Sequence, residues 1–414
     1  MISEAAHWIF LILLSTIVFS AFTLQICRKF RTLLPAVFIL SIVIFQLLGS
    51  VYQVAYLKSM RPLFFSGDGF LMLTSGIALS CASLLLIPIL RPLLKTTLNS
   101  FVPKNYEVKL RNQLFLDLMI LLTLSLFLVN DGLDVFLSIF REGNYVQRIE
   151  LRNKLFFTSP YSRIYILGMI TLPAFTLGIQ ASKAAQHLIP KNKKHFEAMR
   201  TLAYILIPCL SGSKGVVMIC STVAILSFII SKKSFASLLN RKSVVVLTMV
   251  SAASLAFFSF AGTGTTPLFS FFFRVFGVYG ETFFALYEAW KENYVIFGNT
   301  EQYFHQYMYY FPGNATIPTP SHFLIKYGLA AYFISSLLIP FALFVIESIF
   351  KELSNENNPV FCAILSLMIF HTTLLATLPP SGTIFSTTYL IMYFFIYILF
   401  LIKPKDLLTR LIKK

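Results

Sequence analysis

Charge is scarce in this chain: 12% of its 414 residues are Asp, Glu, Lys or Arg, against 57% that are hydrophobic. A soluble domain carries about twice that share of charge, so a water-soluble globule is excluded. Acidic residues are the rarer sign, 17 against 34 basic, for a net charge of +17. In a soluble protein that excess would point to nucleic acid. Here the basic residues fall between apolar runs, where loop charge sets membrane orientation rather than ligand, and a nucleic-acid partner is not expected. Cysteine is also sparse: Cys27, Cys81, Cys209, Cys220 and Cys362 lie in or at the ends of apolar runs. Their spacing offers neither a metal site nor a disulfide framework, so no metal is expected. A cleavable leader is not expected either. Met1 to Trp8 has no basic n-region, and the apolar run after it leads into Arg28, Lys29 and Arg31 instead of a small-residue cleavage site, which reads as a first helix. Neither a fixed-period repeat nor a low-complexity tract is visible.

What is abundant is apolar sequence in long runs. About 20 such residues cross the hydrocarbon core, and the runs place helices near 8–27, 33–56, 69–90, 113–130, 164–182, 201–212, 216–231, 244–262, 328–349, 359–378 and 386–402, eleven in all. The weakest is the pair on either side of Ser211-Gly212-Ser213-Lys214-Gly215. It is split there because the basic clusters at 183–200 and 232–242 must share a side. With the loops after helices 1, 3, 5, 7 and 9 and the C-terminal tail inside, 23 of the 34 Lys and Arg residues are cytoplasmic. Only 7 of the 17 acidic residues join them, so the inner side carries +16. The positive-inside rule then gives an outer N-terminus and a cytoplasmic C-terminus. The expected fold is all-α: a polytopic helical membrane protein of about eleven transmembrane helices, one integral membrane domain over 1–414, with two larger outer loops at about 131–163 and 263–327. The cytoplasmic loops are too short to fold as a catalytic domain.

Function is therefore sought in the outer loops. The first holds Arg141, Arg148 and Arg152, on the side where arginine is otherwise scarce. Arg148 and Arg152 are four apart and share a face on a helix, and a planar guanidinium can clamp a phosphate through two parallel hydrogen bonds. A solvated helix in which Glu142 and Glu150 pair with these arginines, or arginines meeting lipid headgroups, fits the same residues. In Ser211-Gly212-Ser213-Lys214-Gly215 a cation sits in a small-residue turn between two half-length helices. Glycine permits close backbone approach to a ligand, whereas a Lys snorkelling from a helical hairpin is the plainer alternative. Its glycine spacing is not that of a phosphate-binding P-loop. The long segment from Gly262 to His322 carries Arg274 inside Phe271-Phe272-Phe273-Arg274-Val275-Phe276, Gly280-Glu281, then Tyr303, Tyr307, Tyr309 and Tyr310, and ends in Pro318-Thr319-Pro320-Ser321-His322. Its rings suit an interfacial belt or stacking on sugar faces. Arg274 needs a partner in that apolar setting. His322 can serve as acid, base or phosphate ligand, or as a structural hydrogen-bonder.

Taken together, the arginine-bearing loop, the Ser211–Gly215 turn and Pro318-Thr319-Pro320-Ser321-His322 running through Tyr327-Gly328 into the next helix resemble the Wzy-type O-antigen (oligosaccharide repeat-unit) polymerases. Two features depart from that family: Lys214 stands where arginine is commoner, and the span count is odd. The resemblance implies a GT-C-like architecture in a bacterial inner membrane and a metal-independent, cofactor-free glycosyl transfer on the periplasmic face. In it, an undecaprenyl-diphosphate-linked oligosaccharide donates its glycan to the next lipid-linked repeat unit. It further implies that Arg148, Arg152, Lys214 and Arg274 hold the diphosphate, that His322 is the base with Glu281 and Glu150 as rivals, and that membrane lipid and a chain-length regulator protein are partners. The absence of an Asp-x-Asp motif and of a nucleotide-binding domain agrees with this. An O-antigen ligase is the nearest alternative. A flippase or transporter of lipid-linked oligosaccharide is the non-enzyme one, and predicts paired broken helices with charge at the bilayer midplane. A dolichol-type transferase predicts paired acidic residues in the first outer loop, where only Asp68 occurs.

Overall fold

The computed structural model describes residues 2–30, 32–56, 65–98, 110–137, 154, 159–210, 214–232, 278–292, 317–352, 358–378, 384, 386, 389–393 and 395–396. All regular structure among them is helical. Among the described residues, six helical segments are long and apolar enough to cross a membrane: Ala5–Phe30, Leu34–Val51, Gly67–Pro92, Gln113–Asn130, Ser162–Ala185 and Leu329–Phe350. They coincide with the first five expected spans and the ninth. Ile219–Lys232 and Pro359–Leu374 are apolar but shorter, and sit where the seventh and tenth are expected. The expected span 244–262 lies outside the described residues, as does most of 386–402.

The chain divides into two compact units, Met1–Val102 with Phe258–Glu352 and His371–Thr387, and Pro103–Phe257 with Leu353–Phe370 and Thr388–Lys414. In the first, α1 (Ile2–Phe30) packs on α2 (Leu34–Ile42), which runs through a π-helical stretch, Val43–Leu48, into α3 (Gly49–Tyr56). Next come α4 (Gly67–Leu84) and α5 (Ile87–Leu98). Approach of α4 to a later helix, α14 (Leu329–Glu352), depends on glycine: a Cβ on Gly76 would lie 2.4 Å from the Tyr332 hydroxyl. One turn on, the Ser80 hydroxyl donates to the Ser336 carbonyl at 2.7 Å. Small residues at such a seam let backbones close where water supplies no hydrophobic drive.

The start of α2 is capped from a distance. Its first turn contains Pro35, which has no N–H, and Leu33 provides no capping side chain. The carboxylate of Glu347 on α14, 2% exposed, takes that role, accepting from Leu33 N–H at 2.9 and 2.8 Å and from Leu34 N–H at 2.8 Å. An anion suits the positive end of the helix dipole, and the arrangement satisfies donors that lipid cannot. Glu347→Ala should lower stability by about 3 kcal/mol, with Glu347→Gln, which keeps one oxygen, recovering part of the loss; thermal melts of the solubilised protein measure both.

In the second unit lie α6 (Leu110–Phe127), which passes through π-helical Leu128–Gly132 into α7 (Leu133–Leu137), then α8 (Ser162–Tyr165), joined through π-helical Ile166–Thr171 to α9 (Leu172–Ala185), α10 (Lys194–Cys209) and α11 (Lys214–Lys232). The Cys220 thiol reaches the Ile170 carbonyl at 3.9 Å, a Cβ on Gly178 would come 2.8 Å from the Ser227 hydroxyl, and the Ser182 and Ser231 hydroxyls bond each other. Residue numbers rise together along these pairs, so α9 and α11 are parallel. The chain between them must therefore return, and α10 lies in that stretch. In contrast to the expected 201–212, α10 begins at Lys194. Its outer face is apolar, with Phe196, Met199, Leu202, Ile205 and Leu206 exposed, while Arg200 and Tyr204 are buried. Also described are α12 (Val278–Lys291), α13 (Thr319–Tyr327) and α15 (Pro359–Leu374).

Candidate functional site

The segment that reads in sequence as an aromatic outer loop contributes core to the first unit. In α12, Phe283, Phe284, Ala285, Leu286 and Ala289 are fully buried, and the helix packs on α3, α4 and α13. Two polar contacts tie it to the start of α4. Ser66, whose hydroxyl caps that helix by accepting from Gly69 N–H at 3.2 Å, donates to Glu288 Oε1 at 2.8 Å. Lys291 lies 3.8 Å from Asp68 in an exposed pair, of the kind that contributes little to stability. Asp68 thus has a structural counterpart. Glu281 falls on α12 itself rather than on a loop, and α12 is the helix packed against the one that carries His322.

The proline-rich run before His322 starts α13. Pro318 is its N-cap and Pro320 lies in its first turn, where a missing N–H is harmless. His322 therefore stands within the first helical turn, its N–H donating to the Pro318 carbonyl at 2.9 Å. Thr319 anchors that turn to the end of α15: its N–H donates to the Leu375 carbonyl at 2.9 Å and its hydroxyl to the Leu378 carbonyl at 2.7 Å. At the other end Gly328 adopts φ 84°, a left-handed conformation that glycine takes without strain, and turns the chain into α14. The His322 ring is half-buried and edge-on to Phe323, with centroids 6.2 Å apart. Burial, with a smaller push from the Lys326 ammonium one turn on, lowers its pKa to about 4. It is a neutral imidazole at physiological pH. Its Nδ1 is buried with no hydrogen-bond partner among the described residues.

The phosphate-binding candidates are placed differently. Lys214 is the first residue of α11 instead of part of the preceding turn, and α10 and α11 are helices of 16 and 19 residues rather than half-length pieces. Arg148, Arg152, Glu150 and Arg274 lie outside the described residues. His322 and Glu281 belong to the first unit and Lys214 to the second. Among the described residues no three His, Cys, Asp or Glu side chains converge as a metal site.

Protein-family models, curated proteins and solved structures give no match to the chain.

One polar cluster escaped the sequence reading. Asp117 on α6 pairs with the Arg200 guanidinium and accepts from the Tyr204 hydroxyl. Glu197 accepts from Gln180 Nε2 at 2.6 Å and lies 3.4 Å from Arg200. Lys183 donates to Gln113 Oε1 at 2.8 Å. Three helices, α6, α9 and α10, meet in this network. The available signal was the spacing of Glu197, Arg200 and Tyr204, which share one face of a helix whose opposite face is apolar.

Proposed function

We propose that the chain is an integral-membrane polysaccharide polymerase, crossing a bacterial inner membrane eleven times with its site on the periplasmic face. It joins oligosaccharide repeat units carried on undecaprenyl diphosphate. A hydroxyl of the incoming unit attacks the anomeric carbon of the growing glycan, the bond from that carbon to the diphosphate oxygen breaks, and undecaprenyl diphosphate leaves. The proton passes from the attacking hydroxyl to His322 and on to water.

His322 is the observation that carries this reading. A general base must be neutral at working pH and free to receive a proton, although one that titrates near that pH works best; burial keeps the His322 ring neutral, and its Nδ1 has no partner among the described residues. Glu281 on the adjoining helix and Glu150 are the rival bases. Arg148, Arg152, Lys214 and Arg274 supply cations for the charge that develops on the departing diphosphate. For Lys214, its place at the head of α11 adds the positive end of a helix dipole. A transporter calls for ionisable groups near the midplane of its spans. The buried charges described here are tied to span ends: Glu347 is the fourth residue from the end of Leu329–Phe350, and Arg200 pairs with Asp117, the fifth residue of Gln113–Asn130.

Deleting the chain from its host and running the lipopolysaccharide on a gel tests the proposal. Long bands should vanish while a single repeat unit stays attached to the core. Loss of every repeat unit from the core would instead identify a ligase or a flippase.

A further inference from the structure

Where α13 meets the end of α15, three carbonyls are served while two hydroxyls and an imidazole nitrogen nearby are not. Thr319 supplies donors to the Leu375 and Leu378 carbonyls, and Gln46 Nε2 donates to the Ala376 carbonyl at 3.0 Å. Beside this seam, Ser321 Oγ, His322 Nδ1 and Thr372 Oγ1 are buried without a hydrogen-bond partner among the described residues. Ser321 and Thr372 are 0% exposed. Ser321 and His322 follow Thr319 by two and three residues and Thr372 precedes Leu375 by three, so all three lie within one helical turn of the seam. Each bears the full penalty of a desolvated polar atom with nothing in return, and a helical threonine ordinarily avoids this by bonding the carbonyl four residues back. Three such atoms each stand within a turn of one seam.

Their chemistry selects the ligand class. A hydroxyl both donates and accepts, and a neutral imidazole does the same through its two nitrogens. Phosphate offers only acceptors and is held by cations and N–H groups, whereas a sugar hydroxyl needs a donor and an acceptor side by side. Lys326, the charged group that bears on His322, is exposed and lies a turn away. We propose that Ser321, Thr372 and His322 form a subsite that grips the acceptor sugar by its hydroxyls and sets the attacking one beside the base. This rests on the polymerase reading and adds Ser321 and Thr372 to it as binding residues.

The test uses the full chain in lipid nanodiscs, with lipid-linked repeat units extracted from host membranes as substrate. Ser321→Ala and Thr372→Val remove hydroxyls that are unpaired in the resting protein, so each variant should melt at or above the parent temperature. The KM for repeat units should rise about fivefold in each, the worth of one neutral hydrogen bond, with kcat changed less than about twofold. Thr372→Ser, which keeps the hydroxyl, should restore the parent KM. An unchanged KM, or a lowered melting temperature that Thr372→Ser repairs, would overturn the subsite and make these hydroxyls packing groups or hosts to a buried water. A parent protein that makes no polymer from these units would remove the polymerase reading, and the subsite with it. An active parent with unaffected variants removes the subsite alone.

Discussion

Replacing His322 by alanine should cut polymer formation by about 100-fold or more at pH 7, the usual contribution of a positioned base, without lowering the amount of protein in the membrane. The pH profile is the sharper measurement. His322 is active when neutral, and burial lowers its pKa from 6.5 to about 4. Protonation, and with it the loss of rate, is therefore displaced downward. In the parent, kcat/KM should stay level as pH falls through 6.5 and drop only on approach to 4. A drop centred at 6.5 would mean that the working imidazole is solvated like any surface histidine. Normal polymer from the alanine variant would move the role to Glu281 or Glu150.

The largest loss of stability is expected from Arg200→Met. Its side chain is 6% exposed and paired with Asp117 and Glu197, so removing the cation leaves two half-buried carboxylates with only the Tyr204 hydroxyl and the Gln180 amide to donate to them. Breaking one side of a buried ion pair costs about 3–5 kcal/mol, a large share of the roughly 5–15 kcal/mol that holds an ordinary protein folded. The double variant Asp117→Leu with Arg200→Met should be considerably more stable than Arg200→Met alone, because most of the penalty belongs to the orphaned charge rather than to the lost attraction. Melting curves of the two single variants and the double variant decide this. Additive losses would show that the pair is solvated and contributes little.

These residues also show how far a sequence reaches. Long apolar runs declare themselves by length alone, because a span needs nothing but enough lipid-compatible side chains in a row. Helix α10 did not, since Lys194, His195, Glu197 and Arg200 look like a solvated loop until α6 and α9 present Asp117, Gln180 and Lys183 to that face. In α12 the difficulty was size: Val278–Lys291 has 14 residues, too few to cross a bilayer, so a run that contains Phe283, Phe284 and Leu286 reads as an aromatic connection. His322 was legible because two prolines and a glycine frame it. Ser321 and Thr372 were not, since a hydroxyl left without a partner is a property of packing and has no signature in composition.

Helix α10 has a further consequence, for the order in which the protein is built. In the eleven-span arrangement proposed above, a segment with Arg200 at its polar face enters a bilayer reluctantly by itself: an arginine at a helix centre costs about 2.5–3.5 kcal/mol on insertion, less toward a helix end. Its counter-charge sits on α6 and its amide partner on α9, both of which precede it in the chain. The ribosome therefore delivers the partners first, and α10 meets a docking surface rather than bare lipid when it emerges. Exchanging Asp117 for an apolar residue should then be felt during synthesis, as α10 left stranded on the wrong side of its own hairpin, before any folded protein exists to be destabilised.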